Sequence, residues 1–126
     1  MNTLETWHQI VKELSPERLD EVLAEDCVFY SPVLHTPQEG RELTKFYLAG
    51  VMTVFNNSFH YVKEVVTPEH AVLEFVCEIE GIVINGVDIL TFDEAGKIAE
   101  FKVMIRPLKA INLLLEKMRA LLEQTG

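Results

Sequence analysis

Residues 71–92 read AVLEFVCEIEGIVINGVDILTF, and their alternation of apolar and polar side chains predicts two strands joined by a tight turn. Successive side chains of a strand point to opposite faces, so every second residue shares a side. The dipeptide EG at 80–81 predicts a two-residue hairpin turn that pairs Ile79 with Ile82. The apolar row that this register predicts for the core contains Leu73, Phe75, Cys77, Ile79, Ile82, Ile84, Leu90 and Phe92.

The same register places Asp88 on the inward apolar row. An ionised carboxylate taken out of water without a partner costs several kcal/mol, so a role for this group is expected. A competing turn signal, NG at 85–86, would turn Asp88 outward if it inserted a bulge. Because Leu90 and Phe92 prefer the same side as Asp88, the inward orientation is favoured.

The remainder of the chain predicts an α+β fold. Apolar spacing of three and four residues predicts a first helix, and Ser15 with Pro16 begins a short second helix carrying Leu19, Val22 and Leu23. CVFYS at 27–31 predicts a strand, and a third helix follows and ends near NNS. From Phe59 onward a meander of antiparallel strands is expected. A closing helix at 107–123 is predicted to place on one face Leu108, Ile111, Leu115, Met118 and Leu122.

Composition restricts the class of function. A length of 126 residues suits one domain, 1–126, and a net charge of −9 disfavours nucleic acid as a partner. No apolar run is long enough for a membrane span, and the acidic N-terminal stretch does not resemble a secretory signal, so a cytoplasmic protein without a membrane partner is expected. The two cysteines and four histidines lack metal-ligand spacing, and no phosphate-binding motif is present, so neither a metal nor a cofactor is expected.

The outward row of the same strands is also apolar. It contains Val72, Val76, Val83, Val87 and Ile89, with Met104 on the last strand. A sheet face of this kind predicts a self-complementary homodimer surface. The alternative is that the closing helix folds back and covers it.

The element order, together with FYSPV at 29–33, PQEGRE at 37–42 and VDILTFDEAGKIAEFKV at 87–103, resembles the nuclear transport factor 2-like superfamily, and within it the SnoaL-like branch. The resemblance spans essentially the whole chain. It implies a curved antiparallel sheet wrapped into a cone around the N-terminal helices, plus a C-terminal helix, with a hydrophobic pocket at the wide end. Members include isomerases, cyclases, dehydratases, binders and interaction modules, so the fold does not settle the function.

The resemblance also implies roles for single residues. Where ketosteroid isomerases carry the aspartate base before the proline of FYSPV, this chain has Ser31, and where SnoaL-type cyclases carry an aspartate on the last strand, it has Val103. Asp88 matches the isomerase aspartate that donates a hydrogen bond to the developing oxyanion. Tyr47 resembles the isomerase tyrosine on the third helix.

Two candidates for chemistry follow. Asp88 is a hydrogen-bond donor if protonated, or a structural carboxylate tied to Tyr30, Tyr47 or a histidine. His35, in the loop expected at the pocket mouth, is an acid or base near neutral pH, or else caps a turn. The expected pocket lining consists of Trp7, Phe29, Ser31, Val33, Phe46, Tyr47, Phe75, Leu90, Phe101 and Val103, although several of these side chains would look the same in a filled core.

The function expected first is binding of a small apolar molecule in the cone pocket. The alternative is an isomerase, dehydratase or cyclase that acts on an apolar carbonyl compound, with Asp88 as hydrogen-bond donor and His35 as base. A protein-interaction module is the second alternative.

Overall fold

The computed structural model describes residues 2–55 and 57–125, with side chains up to residue 120. Its helices are α1 (Thr3–Glu13), a 3-10 helix (Pro16–Glu21), α2 (Arg41–Val54) and α3 (Leu108–Thr125). Its strands are β1 (Leu23–Tyr30), β2 (Gln38–Glu39), β3 (His60–Val66), β4 (His70–Ile79), β5 (Ile82–Phe92) and β6 (Ile98–Arg106).

The strands form one curved, unclosed sheet in the order β2-β1-β6-β5-β4-β3. All neighbouring strands are antiparallel except β1 and β6, which run parallel, so the sheet is mixed. The predicted α+β class, with a curved sheet around the N-terminal helices and a C-terminal helix, is confirmed.

The β4–β5 hairpin has the register that the sequence predicts. Ile79 pairs with Ile82, and Glu80 and Gly81 both have positive φ angles, 53° and 80°, as a tight two-residue hairpin turn requires. Pairing is continuous from Ile79–Ile82 to His70–Thr91, so the NG dipeptide produces no bulge in this hairpin. Asp88 therefore lies on the inward row, opposite Leu73.

The predicted second helix differs from the structure. It is a 3-10 helix that ends at Glu21, and β1 begins at Leu23, four residues before the predicted strand. Leu23 pairs with Ile98 on β6, and both side chains are buried. Pairing with a distant strand therefore prevails over the helical spacing of Leu19, Val22 and Leu23.

The core has two clusters on the inner face of the sheet. One packs α1, α2 and β1 against the sheet around Trp7 and Phe29, and the other packs α3 around Phe75 and Ile84. The side chains of α3 in the second cluster are Ala110, Leu113 and Leu114.

This packing of α3 corrects two expectations. Leu108, expected on the packing stripe, is 71% exposed, whereas Leu115 and Met118 face the inner cavity and Leu122 lies outside the described side chains. Because α3 packs on the inner face, the alternative that it covers the outer face is wrong. Val72, Val83 and Met104 on that outer face remain exposed. In the described residues, no helix has the length and apolarity that crossing a membrane requires.

Candidate functional site

A cavity of about 280 Å³ lies between the inner face of the sheet and the helices. The loop after β1 contributes Ser31, Pro32, Val33 and Leu34 to its wall. The other lining residues are Trp7, Val11, Leu14, Phe29, Tyr47, Leu48, Val51, Met52, Phe55, Phe59, Asp88, Phe101, Val103, Ile105, Leu114, Leu115, Met118 and Arg119. The wall is therefore almost entirely aliphatic and aromatic.

Asp88 supplies the carboxyl group among the described lining residues, and a hydrogen bond from Tyr61 holds its side chain. The Tyr61 hydroxyl donates to Asp88 Oδ2 at 2.6 Å, and the Trp7 indole N–H donates to the Tyr61 oxygen at 3.0 Å. Because the Trp7 N–H already donates to the Tyr61 hydroxyl oxygen, the hydroxyl proton of Tyr61 points to the Asp88 carboxyl group. The three side chains form a chain of hydrogen bonds from α1 through β3 to β5.

Burial governs the protonation of this pair. Desolvation raises the pKa of Asp88 to about 7, while the hydrogen bond from Tyr61 opposes this shift by stabilising the carboxylate. Burial and the adjacent Asp88 raise the pKa of Tyr61 well above its usual value, so Tyr61 remains a donor. Near neutral pH, Asp88 is therefore present in both protonation states.

Two hydroxyl groups add polar character to the wall. Ser31 Oγ accepts a hydrogen bond from the Val33 amide at 3.1 Å, which leaves the hydroxyl proton able to donate. The Tyr47 ring stacks on Phe29, with 6.1 Å between ring centroids. Within the described residues, no group of three or more His, Cys, Asp or Glu side chains is arranged to hold a metal ion.

The structure brings together eight of the residues predicted for the site. These are Trp7, Phe29, Ser31, Val33, Tyr47, Asp88, Phe101 and Val103. Ser31 and Val103 line the cavity without an acid group, and Asp88 is the carboxyl group among the described lining residues.

Four predicted site residues lie outside this wall. The loop after β1 carries His35 into solvent, so it neither lines the cavity nor pairs with Asp88. Phe46 is 45% exposed because it neighbours Tyr47 on a helix and points in a different direction. Phe75 and Leu90 are buried in the two core clusters and do not belong to the lining of the cavity.

The partner of Asp88 is also different from those considered in the sequence. Tyr61 holds the carboxyl group, whereas Tyr30 lies under Lys102, whose Nζ is 5.1 Å from the ring centroid. Tyr61 pairs with Phe75 across β3 and β4, so it shares the inner face. The spacing of Phe59 and Tyr61 in FHYVKEVV, two residues apart in a strand, was the sequence pattern that could have placed Tyr61 on the inner face.

Arg119 was also missed. It follows Met118 on α3 and contributes the cationic group of the lining. Its position depends on where α3 docks, and the apolar stripe of that helix alone does not predict the docking.

A second, more open pocket of about 320 Å³ adjoins the first beside Tyr61. It is lined by His8, Val11, Lys12, Leu14, Asn57, Phe59, His60 and Tyr61. His8 Nε2 lies 2.6 Å from Glu64 Oε1, and His60 Nδ1 lies 2.7 Å from the Ser58 carbonyl oxygen, so both histidines already have partners.

Comparison with solved structures finds close similarity over the whole chain. A steroid delta-isomerase from Pseudomonas aeruginosa is 32% identical, with a TM-score of 0.93 over 98% of this chain and 90% of that chain. A cystatin-like-fold protein from Silicibacter pomeroyi DSS-3 is 30% identical, with a TM-score of 0.88 over 94% of this chain and 83% of that chain.

A more distant neighbour shares the fold. The epoxide hydrolase/cyclase-like enzyme SalBIII is 16% identical, with a TM-score of 0.67 over 82% of this chain and 88% of that chain. Comparison with curated proteins finds no match. A family model described as the SnoaL-like domain matches residues 4–101. With most of its length matched by that family and its sheet, helices and inner cavity arranged as described above, the chain belongs to the SnoaL-like domain family.

Proposed function

We propose that this protein binds a small, largely apolar molecule that carries a hydrogen-bond acceptor such as a carbonyl oxygen. The observation that carries this proposal is an apolar cavity with one buried carboxyl group, Asp88, in its wall. Ligand pockets typically combine apolar walls with a few placed polar groups and begin at about 300 Å³. The cavity, at about 280 Å³, is close to the lower limit of that range and therefore suits a small ligand.

The polar groups of the wall favour an acceptor on the ligand. Protonated Asp88 donates one hydrogen bond, and the hydroxyl groups of Ser31 and Tyr47 can donate others. Tyr61 already donates to Asp88 Oδ2, which leaves the rest of the carboxyl group for the ligand. A carbonyl compound satisfies these donors, whereas a pure hydrocarbon leaves them unsatisfied at a cost in binding.

A second candidate function is isomerase, dehydratase or cyclase chemistry on such a carbonyl compound. It is favoured by the similarity to a steroid delta-isomerase and by a pKa of Asp88 near 7, which suits proton transfer near neutral pH. Because Ser31 stands where a carboxylate base is expected and His35 points away from the cavity, Asp88 is the acid or base that the described wall offers. Exchange of the methyl protons of 2-acetylnaphthalene with solvent deuterium, followed by NMR, tests for this activity.

The proposal includes self-association through the outer sheet face. Val72, Val83 and Met104 on that face are exposed, and α3 packs on the opposite side of the sheet. A second copy of the chain would bury these side chains. A protein-interaction module remains an alternative use of the same face.

Binding is tested with 2-acetylnaphthalene, a neutral aryl ketone, by NMR titration of the labelled protein. Val103→Phe adds a ring to the cavity wall and should weaken binding by about tenfold or more because it occupies the ligand's volume. Val83→Phe makes the same change on the outer face and should leave the affinity unchanged. Equal affinity in wild type and Val103→Phe would refute binding in this cavity.

A further inference from the structure

Arg119 is a cation at the edge of the cavity, and it has no ion-pair partner among the residues that the structure describes. It lines the cavity from α3, its side chain is exposed, and among the described residues no carboxylate lies within ion-pair distance. Several other cations of the described chain are in ion pairs: Arg18 with Glu21, Lys45 with Asp20, and Lys117, two residues before Arg119, with Glu80. Arg119 is therefore available to a ligand.

Asp88 and Arg119 both line the cavity but differ in their exposure to solvent. Asp88 is 5% exposed, whereas Arg119 is open to solvent, so the first lies at the deep end and the second at the mouth. Leu115 and Met118 on α3 belong to the apolar lining beside Arg119. A molecule that fills the cavity and ends at the mouth would therefore meet the guanidinium group after an apolar path.

We infer that the ligand is an amphipathic anion, with an apolar body in the cavity and a terminal carboxylate or similar acid group bound by Arg119. This inference rests on the proposed function and specifies its ligand class. Guanidinium binds carboxylates through two parallel N–H donors, which favours Arg over Lys for this contact.

The net negative charge of the chain means that an anionic ligand needs a specific cationic group in order to bind. With 20 acidic and 11 basic residues, the surface as a whole repels anions, so a preference for an anionic ligand requires a specific cation. The adjoining second pocket contains Lys12, His8 and His60 and is the competing location for an anion. It is less suitable because His8 already contacts Glu64 and its lining offers fewer apolar side chains to a ligand body.

The test compares 2-naphthylacetate with 2-naphthylacetamide, which share the same ring system and differ in charge. Titrations at about pH 6 keep the ligand carboxylate ionised and Asp88 largely protonated, because its pKa is about 7. Wild type should bind the carboxylate about fivefold more tightly than the amide, or better, and salt should reduce this preference. Arg119→Gln should abolish the preference while leaving amide affinity unchanged.

Three variants serve as controls. Arg119→Lys should retain part of the preference because it keeps the charge. Lys117→Gln and Lys12→Gln remove a neighbouring charge on α3 and the cation of the second pocket, and both should leave the preference intact. Loss of the preference in Lys12→Gln, or its persistence in Arg119→Gln, would overturn the inference.

The two proposals fail in different ways. If the amide binds and the carboxylate binds no better, the ligand class is wrong while the binding function stands. If neither naphthyl compound nor 2-acetylnaphthalene binds, the proposed function is refuted, and the inference about Arg119 with it.

Discussion

Asp88 occupies an environment that favours its neutral form. It is buried on the inward row of β5, and Tyr61 supplies its described hydrogen bond. That bond stabilises the carboxylate, but desolvation is the larger effect and raises the pKa to about 7. A carboxyl group held in this way can donate to a carbonyl oxygen when protonated and accept a proton when ionised.

Replacing Asp88 with Asn should change how stability depends on pH. The pKa of Asp88 is higher in the folded protein than in the unfolded chain, so the unfolded chain releases its proton first as pH rises. Stability is therefore lost from about pH 4, the ordinary aspartate value, up to about pH 7, above which the folded group is also ionised. Between about pH 5 and pH 8 the wild type should lose about 3 kcal/mol that Asp88→Asn retains, since Asn can still accept from Tyr61.

Urea denaturation at several pH values measures this difference. Asp26→Asn, which changes an exposed carboxylate on β1, is the matched control. If Asp88→Asn were instead less stable than wild type by about 2 kcal/mol at pH 7, Asp88 would be a structural, charge-assisted partner of Tyr61.

The structure of the β4–β5 hairpin explains why the NG dipeptide at 85–86, which resembles a turn, lies within a regular strand. Gly86 pairs with Phe75 in regular antiparallel register, and the Phe75 ring lies over the glycine. A Cβ atom at Gly86 would lie 2.8 Å from the Met104 carbonyl oxygen on β6 and 2.9 Å from Phe75 Cε2. The glycine therefore allows close approach of an aromatic ring and leaves the register of Asp88 unchanged.

Gly86→Ala should destabilise the protein by about 1 to 3 kcal/mol because the added methyl group overpacks this contact. Thermal and urea denaturation measure the loss. In the double variant Phe75→Leu/Gly86→Ala the shorter side chain removes the ring contact, so the two effects should not add. Simple additivity would mean that Phe75 is not the side chain that requires glycine.

The two faces of the sheet differ in what covers them. The α-helices α1, α2 and α3 pack on the inner face, where they enclose the cavity, while the outer face presents exposed apolar residues. An exposed apolar face of this kind is typical of a protein interface. Isologous dimers bring the same patch of two copies together, so a charge placed at its centre meets its own equivalent or lies near it.

Ile89→Lys on β5 should convert a homodimer into monomers, because it buries like charges at the interface. Analytical ultracentrifugation at micromolar concentration measures the change. Leu43→Lys places the same charge on an exposed apolar position of α2 and should leave the dimer intact. A wild-type protein that sediments as a monomer would contradict the predicted interface.

Local periodicity accounts for the part of the site that was predicted. Alternation with period two, together with a two-residue turn, was sufficient to place Asp88 on the inner face, because a strand allows its side chains two directions. The sequence could not show which residue of the Phe46–Tyr47 pair on α2 lines the cavity. Tyr47 lines it while Phe46 is exposed, because the orientation of a helix about its axis depends on what it packs against.

Contacts between distant segments account for what sequence reasoning missed. Tyr61 reaches Asp88 from another strand, Leu23 is drawn into β1 by Ile98, and Arg119 reaches the cavity because α3 docks on the inner face. The residues of the chain alone establish the α+β class, the hairpin register and the inward direction of Asp88, all of which follow from neighbours in sequence. The hydrogen-bond partner of Asp88, the wall of the cavity and the side of the sheet that α3 covers depend on how separate elements pack, and a local pattern carries no record of that packing.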